Sequence, residues 1–364
     1  MPAWSRNPRN LAAIVGAVLF LLYLFGPFSD APETPTTSSG RHPHGPSSES
    51  FAIQDQDLPN RIARSERIYN KLLVDRKELI KKFGPTPAQV ALFPPDKDPW
   101  PAYTMWDFFP AAYNCPHEVT RLGALGGTSF PSELIYIPTS NNFVDGGKWV
   151  CGISRVETKP DCIVYSFGIN YESSFEAEIL AHTDHCQIWG YDFSVNSFGP
   201  EIPRAQAHRT HFNAFGLAGT DKHGPEDSPK MYTLESLMKM NGHDHIDILK
   251  IDIERWEFET LATLVKPYLS SGKPLPFGQL QLEIHVWNLS FAEYLTWWES
   301  LEAAGLRPFW TEPNLVYQNY NREGTSDLAE YSFLNTKGDN IFIKDPKQQR
   351  DALGKERHVA GPTP

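Results

Sequence analysis

From about residue 160 the chain falls into short apolar runs separated by stretches whose apolar residues recur at helical spacing. "CIVYSFG" is a compact apolar run ending in Gly168, and "SSFEAEILAH" follows with Phe175, Ile179 and Leu180 at helical intervals. Ser173 lies three residues before Glu176, the S-x-x-E spacing in which a hydroxyl and a carboxylate satisfy the unpaired N–H groups of a helix's first turn. A second run, "CQIWGYD", ends in Asp192. The later runs are "HFNAFGLAG", "IDILKIDIE" and "GQLQLEIHVW", with helical patterns in "YTLESLMKM" and "WEFETLATLVKPYL" between them. In the last, Phe258, Leu261, Leu264, Val265 and Tyr268 form one apolar face. Alternating strands and helices predict right-handed crossovers and an α/β fold, with a mostly parallel sheet covered on both sides.

Upstream the pattern is different. Leu11 to Phe28, "LAAIVGAVLFLLYLFGPF", carries no charge over 18 residues, enough to cross a hydrocarbon core of about 30 Å at roughly 1.5 Å per residue. Arg6 and Arg9 precede it and Asp30 and Glu33 follow, so the positive-inside rule leaves residues 1–10 in the cytosol and the bulk of the chain in a lumen or outside. The run exceeds an ordinary signal-peptide core and no A-x-A site follows, which favours an uncleaved signal anchor over 11–28. Residues 29–57, rich in Pro, Ser and Thr, read as a disordered stem. In 58–84, Ile62, Ile68, Leu72, Leu73 and Leu79 recur among charges and the pattern stops at Gly84 and Pro85, which predicts a neck helix. The lumenal domain is then expected over 100–345, with a flexible tail over 346–364. This layout suits a single-pass type II membrane protein of the Golgi or endoplasmic reticulum.

Composition narrows the chemistry. The chain has 364 residues, 40% of them hydrophobic, so it can bury a full core. A formal charge of −11 argues against a nucleic-acid partner, which requires clustered Lys and Arg against phosphates. Cys115, Cys151, Cys162 and Cys186 all fall in the proposed lumenal part, where two disulfides can persist in any of three pairings; Cys162 and Cys186 read equally well as packed thiols. No C-x-x-C spacing suggests structural zinc, and "HTDHC" at 182–186 bridges a helix and a strand. Trp297 and Trp298 read as helix packing.

In open α/β sheets, ligands bind beyond the carboxyl ends of the strands. Gly168 ends the first run of the unit and Asp192 ends the second, 24 positions later, a spacing that suits a glycine turn followed by an acid for ribose hydroxyls. The single glycine of "FGINYESS" does not make a pyrophosphate cradle, and no G-x-x-x-x-G-K-[ST] loop occurs. If the strands are regular to their ends, Asp252 and Glu254 share one face and Glu283 and His285 share another. With the strands adjacent, all four converge at the carboxyl edge. They suit either a divalent metal holding a substrate's oxygens, or a base, with His285 accepting a proton and Glu283 orienting it.

"VYSFGINYESSFE", "IWGYDFS" and "LKIDIERWEFETL" together resemble the FkbM-type, methyltransferase-like family of S-adenosylmethionine-dependent methyltransferases. "NCP" at 114–116 and "DGGKWVC" at 145–151 resemble its membrane-anchored eukaryotic branch; the likeness covers roughly residues 105–335. It implies a Rossmann-like class I sheet with a final antiparallel strand, for which "LRPFWTEPNLVY" and "EYSFLN" are candidates. It also implies that Ser166, Phe167, Gly168, Asn170 and Ser174 line the methionine part of the cofactor. Asp192 would hold the ribose with Phe193 beside it, and Asp252 would lie beside the sulfonium. The family usually has glycine where this chain has Asn170, and again where it has Arg255. Asn tolerates positive φ better than most residues, whereas arginine there costs roughly 1 kcal/mol or more. The expected reaction is O-methylation of a hydroxyl acceptor, a sugar or glycan, with His285, Glu283 and Asp252 as the catalytic set. Two other readings remain: a glycosyltransferase using Asp252-Ile253-Glu254 as a metal motif, and a non-catalytic binding module of the same fold.

Overall fold

The computed structural model describes residues 57–92, 103–123, 147–314 and 327–345. The segments 1–10 and 11–28, the stem up to residue 56 and the tail 346–364 lie outside the described residues. Among those described, no helix is long and apolar enough to cross a membrane.

The elements in chain order are α1 (Leu58–Phe83), β1 (Val119–Leu122), β2 (Lys148–Cys151), β3 (Ile163–Phe167), α2 (Ser174–His182), β4 (Gln187–Tyr191), β5 (Thr210–Asn213), β6 (Gly216–Leu217), β7 (Met231–Tyr232), α3 (Leu234–Asn241), β8 (Ile246–Ile251), α4 (Glu257–Ser271), β9 (Phe277–His285), α5 (Phe291–Ala304), β10 (Leu306–Pro313) and β11 (Leu328–Asn335). Seven strands form one sheet in the order β10-β11-β9-β8-β3-β4-β5. β9, β8, β3, β4 and β5 pair in parallel, and β11 is antiparallel to both of its neighbours, β9 and β10. "EYSFLN" lies in β11, so the last strand is the antiparallel one. The sheet order reverses between β3 and β8, where such folds place their ligand crevice.

One face of the sheet, carrying Tyr165, Phe167, Leu249, Ile251, Leu280, Leu282 and Tyr331, is covered by α3, α4 and α5. The other, carrying Val164, Ile188 and Ile248, packs on Phe175, Ile179 and Leu180 of α2 and on Val150 of β2. β9 shows how the alternation works: Leu280, Leu282 and Ile284 enter the first core, while Gln279 and Gln281 meet β2. Gln279 exchanges hydrogen bonds with the Cys151 backbone (2.9 and 2.6 Å), and Gln281 donates to Trp149 O at 2.9 Å. Two disulfides, Cys115–Cys151 and Cys162–Cys186, hold β2 to the segment before β1 and the start of β3 to the start of β4.

Three local expectations give way. "HFNAFGLAG" is not one strand: a turn at Asn213–Phe215 divides it into β5 and β6, and β6 pairs with β7 instead of joining the main sheet. Ser173 does not form a capping box with Glu176. Its hydroxyl accepts from Gly199 N at 2.9 Å, while Glu176 points inward to Ser166 and lies 3.9 Å from Lys250. Helix α1 packs Leu72, Leu73 and Leu79 against the core as partly buried residues, but its fully buried positions are Leu58, Ser65, Tyr69, Arg76 and Ile80, and Ile68 is exposed. Buried Glu302 of α5 decides this, accepting a bidentate pair from Arg76 (2.8 and 2.9 Å) and hydrogen bonds from Tyr69 and Trp298. The helix is therefore fastened along the domain.

Candidate active site

The crevice begins at Gly168, which follows β3 with φ +80. A Cβ there would stand 1.8 Å from the carbonyl oxygen of Asp252, so only glycine lets the ends of β3 and β8 close up. Asn170 and Tyr171 continue the turn with φ +43 and +59. Asp192, after β4, faces this turn: its Oδ2 accepts from Asn170 N at 2.9 Å, and its Oδ1 accepts from the N–H and hydroxyl of Ser194, both at 2.7 Å. These bonds leave one acceptor direction, on Oδ2, which fits a ribose hydroxyl. Phe193, next to Asp192 in the chain, and Tyr171, next to Asn170, are each roughly half exposed and offer flat apolar faces for an adenine ring. The turn and the acid thus fit S-adenosylmethionine, with Gly168 giving close backbone approach. Ser166 and Phe167 stand behind that surface, Ser166 bonded to Glu176 and Phe167 stacked on Tyr191 in the core. Ser174, in the first turn of α2, is buried and its N–H donates to Glu172 at 2.9 Å.

At the ends of β8 and β9, ligand atoms of Asp252, Glu283 and His285 lie within 4.8 Å of one another. Glu254 does not join them. β8 ends at Ile251, the backbone turns left-handed at Glu254 (φ +52) and Arg255 (φ +80), and regular alternation stops. Glu254 is 74% exposed and reaches only the rim, 3.6 Å from His285 Nε2. Arg255 therefore does occupy a left-handed position, with its Nε donating to Trp287 O at 2.8 Å.

Lys148, from β2, enters the same cluster. It is 1% exposed, ion-paired to Glu330 of β11, and its Nζ lies 3.8 Å from Glu283 and 3.9 Å from Asp252. Burial works against its charge, but Glu330, Glu283 and Asp252 outweigh that and raise its pKa. Burial likewise opposes the charge of Asp252, yet Lys148 and Lys250 hold its carboxyl below the ordinary range. Glu283 goes the other way: burial, then the charges of Glu330 and Asp252, push it well above the ordinary range. Asn314 donates to Glu283 Oε1 at 2.9 Å.

His285 is oriented by Glu257, not by Glu283. Glu257 Oε1, from the first turn of α4, accepts from His285 N at 2.7 Å and lies 3.2 Å from Nδ1. Since a carboxylate accepts at Nδ1, that nitrogen carries the ring proton and Nε2 keeps its lone pair. Burial opposes the imidazolium, but the hydrogen bond and charge of Glu257, with Asp252 and Glu254, raise the His285 pKa above its ordinary value. Trp256 directly precedes Glu257 in the chain and is 61% exposed, and the Trp287 ring lies 4.8 Å from the imidazole. Asn288 adds another positive φ, +57. Five of the six non-glycine residues with positive φ among those described therefore follow β3, β8 or β9, the clustering of backbone strain seen where sites are built.

Sequence reasoning missed Lys148, Glu257, Glu330, Asn314 and Trp256. Lys148 and Glu330 did carry a signal, each being a charge inside a strand with apolar neighbours; Glu257 and Trp256 had none apart from their place at a helix start. Cys186 of "HTDHC" is bonded to Cys162 and so offers no thiolate to a metal.

A family model described as "Methyltransferase domain" matches residues 139–329, or 191 of the 364 residues. The chain belongs to this methyltransferase family. Membership implies an S-adenosylmethionine-dependent methyltransferase, in agreement with the seven-stranded order and with the glycine turn facing Asp192. Probable methyltransferase-like protein 24 of Rattus norvegicus is 27% identical over 136 residues, a stretch amounting to 36% of this chain and 35% of the relative. The match thus spans about a third of that relative's length.

Proposed function

We propose that this methyltransferase-family chain methylates a hydroxyl group of a sugar or glycan, in the lumen of the Golgi or endoplasmic reticulum, as a single-pass membrane protein. The observation that carries the reading is the His285–Glu257 pair at the carboxyl edge of the sheet, beside Asp252 and next to the turn that fits the cofactor. When bound, S-adenosylmethionine supplies an electrophilic methyl group. A hydroxyl is a weak nucleophile, so the chain's part is to align it and take its proton. Nε2 of His285 receives that proton while Glu257 holds the ring through Nδ1. Asp252, kept ionised between Lys148 and Lys250, contributes negative charge where a sulfonium would lie. The exposed face of Trp256 suits the C–H surface of a sugar ring, and the net charge of −11 favours a neutral acceptor. Two disulfides and the apolar run over 11–28 support the oxidising, membrane-anchored setting.

The D-x-D glycosyltransferase reading has less support, since Glu254 faces solvent and Asp252 faces Lys148. The test is isothermal titration of the purified full-length chain with S-adenosylhomocysteine, with Asp192→Ala as control. Micromolar binding that the control loses supports the reading. No heat from a folded chain refutes it, and uridine and guanosine diphosphate sugars with Mn²⁺ would then be titrated in its place.

A further inference from the structure

Asp252, Glu283 and His285 present the donor types and spacing of a divalent-cation site. The same space already holds a positive charge. Lys148 Nζ is ion-paired with Glu330 and lies within 3.9 Å of both Asp252 and Glu283.

That ammonium is 1% exposed, and its strand is held at Cys151 by the disulfide to Cys115 and by Gln279, and at the Trp149 carbonyl by Gln281. The Trp149 ring donates to Glu312 at 2.6 Å and stacks on Trp310 with centroids 4.0 Å apart. A divalent ion bound to Asp252 or Glu283 at roughly 2.1 Å would stand no more than about 6 Å from Nζ. Its double charge would face an ammonium that is itself buried and already paired with Glu330.

We infer that Lys148 is a resident cation which takes the place of a divalent metal at this edge of the sheet, so that hydroxyl activation by His285 proceeds without one. Lys148 acts through the carboxylates: it draws Asp252 and Glu283 together and is a positioning residue. The placement of the cation stands independently of the methyl-transfer reading; only its consequence for hydroxyl activation rests on that reading.

The test is a Mn²⁺ titration of the full-length chain, followed by electron paramagnetic resonance and calorimetry. Wild type is expected to show no stoichiometric site, and Lys148→Ala to gain one at least tenfold tighter than any wild-type binding, which Lys148→Ala/Glu283→Gln loses again. A merely structural lysine would produce no such gain. A stoichiometric wild-type site abolished by Glu283→Gln overturns the inference, as does a folded Lys148→Ala that gains none. If Lys148→Ala does not fold, the wild-type titration with its Glu283→Gln control still decides the matter. S-adenosylhomocysteine titrated into the same wild-type preparation reports separately on the methyl-transfer reading.

Discussion

Replacing Gly168 by alanine tests whether the crevice depends on close contact between two strand ends. Two costs arise in the folded state. A non-glycine residue at φ +80 costs roughly 1–2 kcal/mol. The new Cβ would meet the Asp252 carbonyl oxygen at 1.8 Å, backbone against backbone, so the chain after β8 must move by more than an ångström; overpacking of this kind adds about 1–3 kcal/mol. The sum, about 2–5 kcal/mol, corresponds to a fall in Tm of roughly 6–15 °C for a domain of this size. Because Asp252 moves with its carbonyl, methyl transfer should fall by about 10²-fold even where the variant is folded. Gly272→Ala is the matched control: its φ is +70 and nothing lies within 4 Å of the added carbon, so only the conformational cost applies. Thermal unfolding and S-adenosylhomocysteine titration of the two variants separate the terms. If Gly168→Ala melts no lower than Gly272→Ala and binds S-adenosylhomocysteine as wild type does, the close approach of β3 and β8 is not what requires glycine.

Glu257→Gln removes the charge that raises the His285 pKa, so the acid limb of kcat/KM, which in wild type rises as His285 loses its proton, should move to lower pH; the plateau should fall roughly 10²- to 10⁴-fold as the ring loses its orientation. An unmoved limb would remove His285 as the base. By the same linkage the His285–Glu257 pair stabilises the fold below the ordinary histidine pKa, and that contribution fades as pH rises through the raised value, which pH-dependent unfolding of the two proteins can measure. Arg76→Met strands the buried Glu302 carboxylate and should cost about 3–5 kcal/mol in denaturant unfolding. A loss under 1 kcal/mol would mean that α1 is not fastened through this pair.

The sequence by itself determined the alternation of strands and helices and the apolar face of α4, its family resemblance implied the antiparallel last strand, and the ends of its apolar runs marked where candidate site residues stand. Strand and helix periods write core-facing positions directly into the order of residues, and a parallel sheet puts the functional ones at its carboxyl ends. Gly168 and Asp192 were legible for that reason, each standing at the end of an apolar run. What lies across the sheet was not. β2 comes to β9 through side-chain amides, Lys148 reaches Asp252 from more than a hundred residues away, and Glu257 approaches His285 from the start of a helix. No periodicity encodes such meetings. Strand alternation failed at Glu254 because it holds only while the strand is regular, and the left-handed turn that ends it is set by packing against Gly168 and Trp287. The opposite shifts of Asp252 and Glu283 arise later still, from burial and from neighbours that only tertiary structure brings within 4 Å.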